Sequence, residues 1–240
     1  MRVGFIGLGT MGSSMALNAQ KGGHDLIVHD LRREAAEPHL KAGAAWAEGA
    51  RGVGELADVV FTSLPGPREA EAVGEELLAS MRPGVPWFDL TTNSPTVARR
   101  LHAKFAAKGI PMLDAPVSGG PHGAKSRKLA LLVGGDRAVF DRFRTVLDAI
   151  GDQILYIGPI GAGSVAKLVH KDVTLATELA RELGVPMRIA SLTHAEMTEA
   201  LNRGWGERDS RSPMLLQEER AGVEIKVPAE AIRAVLERDG

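Results

Sequence analysis

A chain of 240 residues, 44% apolar and 25% charged, is long enough for one large domain or for a standard domain with a smaller one, and its composition is that of an ordinary globular protein. A net charge of −1 gives no electrostatic attraction to nucleic acid or to an anionic membrane, so neither is expected as a partner. With no cysteine, disulfides, thiolate catalysis and Cys-ligated zinc are excluded, and the composition suits a cytoplasmic location.

Taken in chain order, Arg2–Ile6 is a short β-branched and aromatic run, the pattern of a buried strand. GLGTMGSSMALNAQKGG then turns and becomes helical, stopping at Gly22-Gly23. An apolar run behind one arginine could also open a signal peptide, but these glycines fall where a strand must turn into a helix. No stretch is long and apolar enough to span a bilayer, and the chain reads as soluble. HDLIVHD is a second strand, and RREAAEPHLKAG a helix closed by Gly43, which Pro38 limits to two short pieces. ADVVFTSLPGP and VPWFDLTTNSP each read as strand then loop, followed by the helices REAEAVGEELLASM and TVARRLHAKFAAKG. IPMLDAPVSGG is a strand and a glycine-rich loop, and KLALLVGG and QILYIG are later strands on either side of one helix, DRAVFDRFRTVLDAIG.

Strands alternating with helices of this length imply parallel βαβ units. The expected fold class is therefore α/β, a Rossmann-type, doubly wound and mostly parallel sheet with helices on both faces. After Gly161 the strand pattern stops, and helices are expected over 164–183, 186–203 and 228–238. The expected domains are 1–160, the sheet, and 161–240, all helical.

Gly7, Gly9 and Gly12 form G-x-G-x-x-G directly after a strand and at the start of a helix. The first glycine permits a tight turn and the second lets a pyrophosphate approach the backbone. The third lets the helix pack closely, with the phosphates at its N-terminus. Three glycines alone can be a simple turn, but Asp30 ends the next strand at the interval expected of a ribose-binding acid. A carboxylate there accepts hydrogen bonds from the ribose hydroxyls and repels a 2′-phosphate, which favours NAD. Arg32 and Arg33 leave NADP open if they swing in, and are otherwise the solvated start of a helix. The expected cofactor site is Gly7, Leu8, Gly9, Thr10, Met11, Gly12 and Asp30. The histidines His29, His102 and His122 show no metal-ligand pairing, and no metal is expected.

With these motifs the sequence resembles the β-hydroxyacid dehydrogenases, the family that includes 3-hydroxyisobutyrate dehydrogenase and is related to 6-phosphogluconate dehydrogenase. GFIGLGTMGSSMALNAQKGGH, with Met11, Asn18 and His24, is similar to its N-terminal signature. DAPVSGGPHGA, from Asp114 to Ala124, is similar to its substrate loop, and GAGSVAKLVH to the start of its catalytic helix. The resemblance implies hydride transfer between a nicotinamide cofactor and a small β-hydroxy acid. It implies that Ser118, Gly119 and Gly120 receive the substrate carboxylate, where the residues alone are equally an ordinary glycine turn. It makes Lys167 the general acid/base, where the residue alone is a solvated charge. It sets Leu64, Pro65 and Thr92, with Thr91, beside the nicotinamide and its ribose. Relatives of this fold that reduce imines tend to replace that lysine, so Lys167 argues against imine reduction.

The resemblance then breaks. The family's K-x-x-N-N holds His170 and Lys171 here at its two asparagine positions, and KDVTLATELARELGVP resembles a segment that the family carries later. An internal deletion that shortens the helical domain is expected, with Lys171 as the later lysine brought to the substrate. A continuous helix over 164–183 would set Asp172 in a leucine stripe, so a kink or a new helix start is expected there. In the family the helical domain also builds much of the dimer interface, so its shortening puts the homo-oligomer that the family implies in doubt, and a cofactor-binding remnant without catalysis is the alternative. Arg127 stands where the family often has glycine, and either contacts a carboxylate or obstructs the loop.

Overall fold

The computed structural model describes residues 1–164, residues 214–223 and scattered positions between 186 and 203. Strands β1 (Arg2–Ile6), β2 (Asp25–His29), β3 (Ala45–Trp46), β4 (Val59–Thr62), β5 (Trp87–Asp89) and β6 (Met112–Asp114) are parallel and lie in the order β3-β2-β1-β4-β5-β6. The winding therefore reverses between β1 and β4, which is the crevice where ligands of open α/β sheets bind.

Helices cover both faces. α1 (Gly12–Lys21) packs with the later α7 (Arg137–Arg142) and α8 (Arg144–Ile150) on one face. The core there is built on Phe5, Phe61, Phe88 and Leu113. α3 (Gly49–Leu56), α4 (Pro67–Ser80) and α5 (Pro95–Ala106) cover the other face over Val60, Trp87 and Met112. The strands β1–β6 are apolar on both sides because helices bury both, as parallel strands with helical crossovers require. Phe5, Phe61 and Phe88 are paired across the strands, with ring centroids 6.3 and 5.1 Å apart.

The expectation of parallel units holds through β6 and then needs correction. β7 (Val117–Ser118) continues almost from β6, and β8 (Ala130–Gly134) returns antiparallel to both. The connection is the short α6 (Gly120–Ser126), too little chain for a parallel crossover. β9 (Gln153–Gly158) pairs parallel with β8, so both strands run opposite to β1–β6.

Pro38 does divide its helix, into a 3₁₀ turn over Arg33–Ala36 and α2 (Glu37–Lys41). The helix expected between β8 and β9 is also divided, at Phe143, whose φ of −103° and ψ of 13° leave the helical region while its ring stays in the core. Asp136 caps the first part, its Oδ1 accepting from the Val139 N–H. The elements β3, α3, β7 and α6, and a helix at Met214–Ala221, are additional to those expected. Described residues between 192 and 199 are helical, in keeping with the helix expected there. The helix expected over 228–238, and that over 164–183 beyond Ser164, lie outside the described residues, as do Asp172 and its expected break.

Candidate active site at the carboxyl edge of the sheet

The turn after β1 is shaped by its neighbours at two of three glycines. Gly7 has φ +91°, and a Cβ there would lie 2.3 Å from the Ser63 carbonyl oxygen. A Cβ on Gly12 would lie 1.9 Å from the Gly7 carbonyl oxygen. Gly9 differs: it has no positive φ, and a Cβ would meet nothing within 4 Å. The protein's own packing does not need glycine there. A pyrophosphate lying against the turn does, because a side chain would occupy its place. The residues present therefore fit a dinucleotide.

Asp30 follows β2 and ties this turn down. Its Oδ2 accepts from the Leu8 N–H at 2.7 Å and its Oδ1 from the Arg32 N–H at 2.9 Å. Each carboxylate oxygen has a second lone pair, so the group keeps capacity for ribose hydroxyls. Leu8 is buried, Met11 packs partly on the core, and Thr10 is exposed. Arg33 is drawn to Trp46, 4.9 Å from the ring centroid, and to Glu48, which also accepts from the Trp46 Nε1 at 2.7 Å.

The last residues of the central strands form a polar row that periodicity along the chain does not reveal. Thr62, Asp89 and Asp114 are successive cross-strand partners, and all three are buried. Asp89 Oδ1 accepts from Thr62 Oγ1 at 2.9 Å and from the Thr91 N–H at 3.1 Å, and its Oδ2 accepts from Asn93 Nδ2 at 2.9 Å. Thr91 Oγ1 in turn accepts from the Leu64 N–H at 3.1 Å. This chain of bonds brings the two loops expected at the nicotinamide together, with Thr91 turned inward and Pro65 and Thr92 exposed beside it. Burial pushes the Asp89 carboxyl above the usual carboxylate range, against the pull of its three donors. The available signal was a polar residue ending each of VVFT, WFD and MLD.

Asp114 begins the other loop. Its Oδ1 accepts from the Gly161 N–H at 2.7 Å, and its Oδ2 from the Ser164 N–H at 2.6 Å and Ser164 Oγ at 2.8 Å. Burial raises this carboxyl too, opposed by those bonds. Beyond β7, Gly119 has φ +124°, and a Cβ there would lie 2.9 Å from the Lys128 carbonyl oxygen, so glycine is required. The Ser118 hydroxyl and the N–H groups of Gly119 and Gly120 make no hydrogen bond among the described residues. Asn18 of α1 donates from Nδ2 to the Ala124 carbonyl at 2.7 Å, which joins the dinucleotide helix to α6.

Among the described residues, Arg127 makes no carboxylate contact. It occupies the left-handed region at φ 60°, which explains the preference for glycine, and its Nη2 donates to the Asp148 carbonyl of α8 at 3.0 Å. Lys167, His170 and Lys171 lie outside the described residues. The structure thus brings together the Gly7–Gly12 turn, Asp30 and the Leu64 and Thr91 loops, and it binds the Ser118–Gly120 loop to the same edge.

A 3-2-1-4-5-6 parallel sheet with an open glycine turn at its switch point and an acid after the second strand defines a dinucleotide-binding domain of the Rossmann class. Residues 2–158 match the NAD binding domain of 6-phosphogluconate dehydrogenase. The chain belongs to the β-hydroxyacid dehydrogenase family of NAD(P)-dependent oxidoreductases. It is 38% identical over 210 residues to an NAD-dependent L-serine dehydrogenase of Pseudomonas aeruginosa, covering 85% of this chain and 70% of that one. It is 40% identical over 171 residues to a 3-hydroxyisobutyrate dehydrogenase of the same organism, covering 70% and 57%. Among solved structures, Mycobacterium tuberculosis 3-hydroxyisobutyrate dehydrogenase with L-serine superposes with a TM-score of 0.67 at 32% identity, over 85% of this chain and 72% of that one. An imine reductase of Myxococcus stipitatus, 23% identical with a TM-score of 0.69 over 99% and 84%, shares the fold alone. The chain spans between half and two thirds of the length of most curated relatives it matches.

Proposed function

We propose that this chain oxidises a short 3-hydroxy acid with NAD, or reduces the oxo counterpart with NADH. The observation that supports this best is the join of two open backbone loops at one sheet edge, the Gly7–Gly12 turn and Ser118–Gly120, through Asn18 and α6. A relative acting on L-serine and one acting on 3-hydroxyisobutyrate, both three-carbon-chain hydroxy acids, favour that substrate class.

In this reading the residues from Gly7 to Gly12 hold the pyrophosphate and Asp30 the ribose hydroxyls. Leu64, Pro65 and Thr92 flank the nicotinamide, which when bound supplies the hydride acceptor or donor. The engagement of Arg33 with Trp46 and Glu48 supports NAD over NADP. The Ser118 hydroxyl and two unhindered N–H groups orient the substrate carboxylate, with Lys171 as a second cation. Lys167 takes the hydroxyl proton in oxidation and returns it to the alkoxide oxygen in reduction, a role suited to a lysine with lowered pKa. We place the domain boundary at residue 160, close to where the family match ends, with 161–240 as a shortened helical substrate and dimerisation domain. We also place the protein in the cytoplasm, as a homo-oligomer.

Initial rates of NADH formation over a panel of short 3-hydroxy acids, with NAD and NADP in turn, test this reading. Turnover with NAD is expected on at least one acid, and Lys167→Ala should lower it by roughly 10²–10⁴-fold with NADH affinity unchanged. A chain that binds NADH and turns over nothing on the panel would instead be a dinucleotide-binding remnant.

A further inference from the structure

We propose that Asp114 is the positioning residue of this site: it fastens the strand that enters Ser118–Gly120 to the segment Gly161–Ser164, and so ties the carboxylate receptor to the stretch of backbone from which the chain continues to the acid/base. The proposal rests on the roles given above to Ser118–Gly120 and Lys167.

Two stretches far apart in the chain meet at this one side chain. Asp114 ends β6, four residues before Ser118, and its carboxylate binds Gly161 and Ser164, 47 and 50 residues further on. Ser164 stands three residues before Lys167, so at most about 11 Å of chain separates them. Asp114 is 1% exposed, and the three donors to its carboxylate use both oxygens.

The backbones also touch. A Cβ on Gly163 would lie 2.1 Å from the Leu132 carbonyl oxygen of β8 and 2.9 Å from the Asp114 carbonyl oxygen. A Cβ on Gly134 would lie 2.9 Å from the Gly163 N and 2.6 Å from Asp114 Oδ1. The segment therefore sits flat on the sheet edge, and the carboxylate keeps it from sliding along that edge.

Only an acceptor on both oxygens can do this. An asparagine must turn its NH₂ either toward Gly161 or toward Ser164. In the first case the Gly161 N–H faces a donor. In the second the Ser164 hydroxyl can rotate to accept, but the Ser164 N–H cannot. Either way one buried N–H is orphaned and the segment shifts.

Asp114→Asn and Ser164→Ala in the full chain test the proposal, read by hydrogen exchange without cofactor, by NADH affinity, and by kcat and KM for the best acid of the panel. Asp114→Asn should speed exchange in a peptide spanning 159–166 and leave that of the Gly7–Gly12 turn unchanged. It should lower kcat roughly 10–100-fold and raise KM for the acid, with NADH affinity within about threefold, since a displacement near 1 Å at a reacting centre costs on that order. Ser164→Ala, which removes only the hydroxyl donor, should lower kcat about two- to fivefold and add nothing further in the Asp114→Asn background.

A lower melting temperature with kcat and KM unchanged would make Asp114 purely structural and overturn the proposal. If Asp114→Asn does not fold, Ser164→Ala decides: wild-type kcat would overturn the proposal, and a reduced kcat at wild-type NADH affinity and melting temperature would support it. A wild-type chain that binds NADH but turns over no acid overturns the functional reading and this proposal together. An active wild type with an equally active Asp114→Asn overturns this proposal alone.

Discussion

Asp89 and Asp114 are neighbours in the same row of the sheet, both buried and both pushed upward in pKa by that burial, yet they hold different things. Asp89 collects donors from Thr62, Thr91 and Asn93, all within or beside the strands of the parallel sheet. Asp114 collects its donors from Gly161 and Ser164, where the sheet has ended. The first carboxylate is internal to the Rossmann unit, and the second joins that unit to the segment beyond β9. A buried polar group is thus best judged by what its partners connect rather than by its burial.

The difference has measurable consequences, the largest at Asp89. Asp89→Ala orphans three buried donors, at about 1–3 kcal/mol for each, and after relaxation should cost about 2–4 kcal/mol in urea unfolding. The comparison breaks if Asp89→Ala costs less stability than Asp114→Asn, or if it spares the fold and removes turnover.

His39 sharpens the comparison, because it is a buried titratable side chain that is not fully satisfied. Its Nε2 lies 3.1 Å from Ser13 Oγ in the first turn of α1, while its Nδ1 is buried without a partner among the described residues. Burial lowers its pKa below the ordinary 6.5. The unfolded chain therefore takes up this proton first as the solution is acidified. The stability due to neutral His39 is complete above the ordinary value and is lost as pH falls below it toward the folded pKa. His39→Gln should flatten the fall in urea midpoint between about pH 7 and pH 5, and an unchanged slope would remove His39 as its source.

The smallest effect is expected at Arg127, where the backbone rather than a polar group is at issue. Its left-handed conformation costs about 1–2 kcal/mol, partly offset in glycine by greater freedom of the unfolded chain. Arg127→Gly should therefore raise stability by about 0.5–1 kcal/mol. Its bond to the Asp148 carbonyl is exposed and contributes little against that. A thermal melt that moved downward would mean that the bond matters more than the strain.

Much of the site was legible in the sequence where the signal is local. G-x-G-x-x-G after β1 and an acid after β2 carry their geometry in their spacing, because a strand, a turn and a helix N-terminus are contiguous in the chain. Pro38 and Gly43 were readable for the same reason. The reversal at β8 was not, since periodicity reports which side a strand buries but not which way it runs. The polar row was not either: a Thr or Asp at the end of VVFT, WFD or MLD reads as the start of a loop until the strands are laid side by side.

By itself, then, the sequence determined the α/β class, the dinucleotide turn and the acid that ties it, since each depends on residues near in the chain. Only the tertiary structure decided that Gly7 and Gly12 of that turn serve the protein's own packing and that Gly9 faces open space. It also decided that Arg127 reaches the Asp148 carbonyl of α8, and that Asp114 reaches 50 residues onward to Ser164. Those depend on contacts between distant strands and loops, and a close approach across space leaves no periodic trace along the chain.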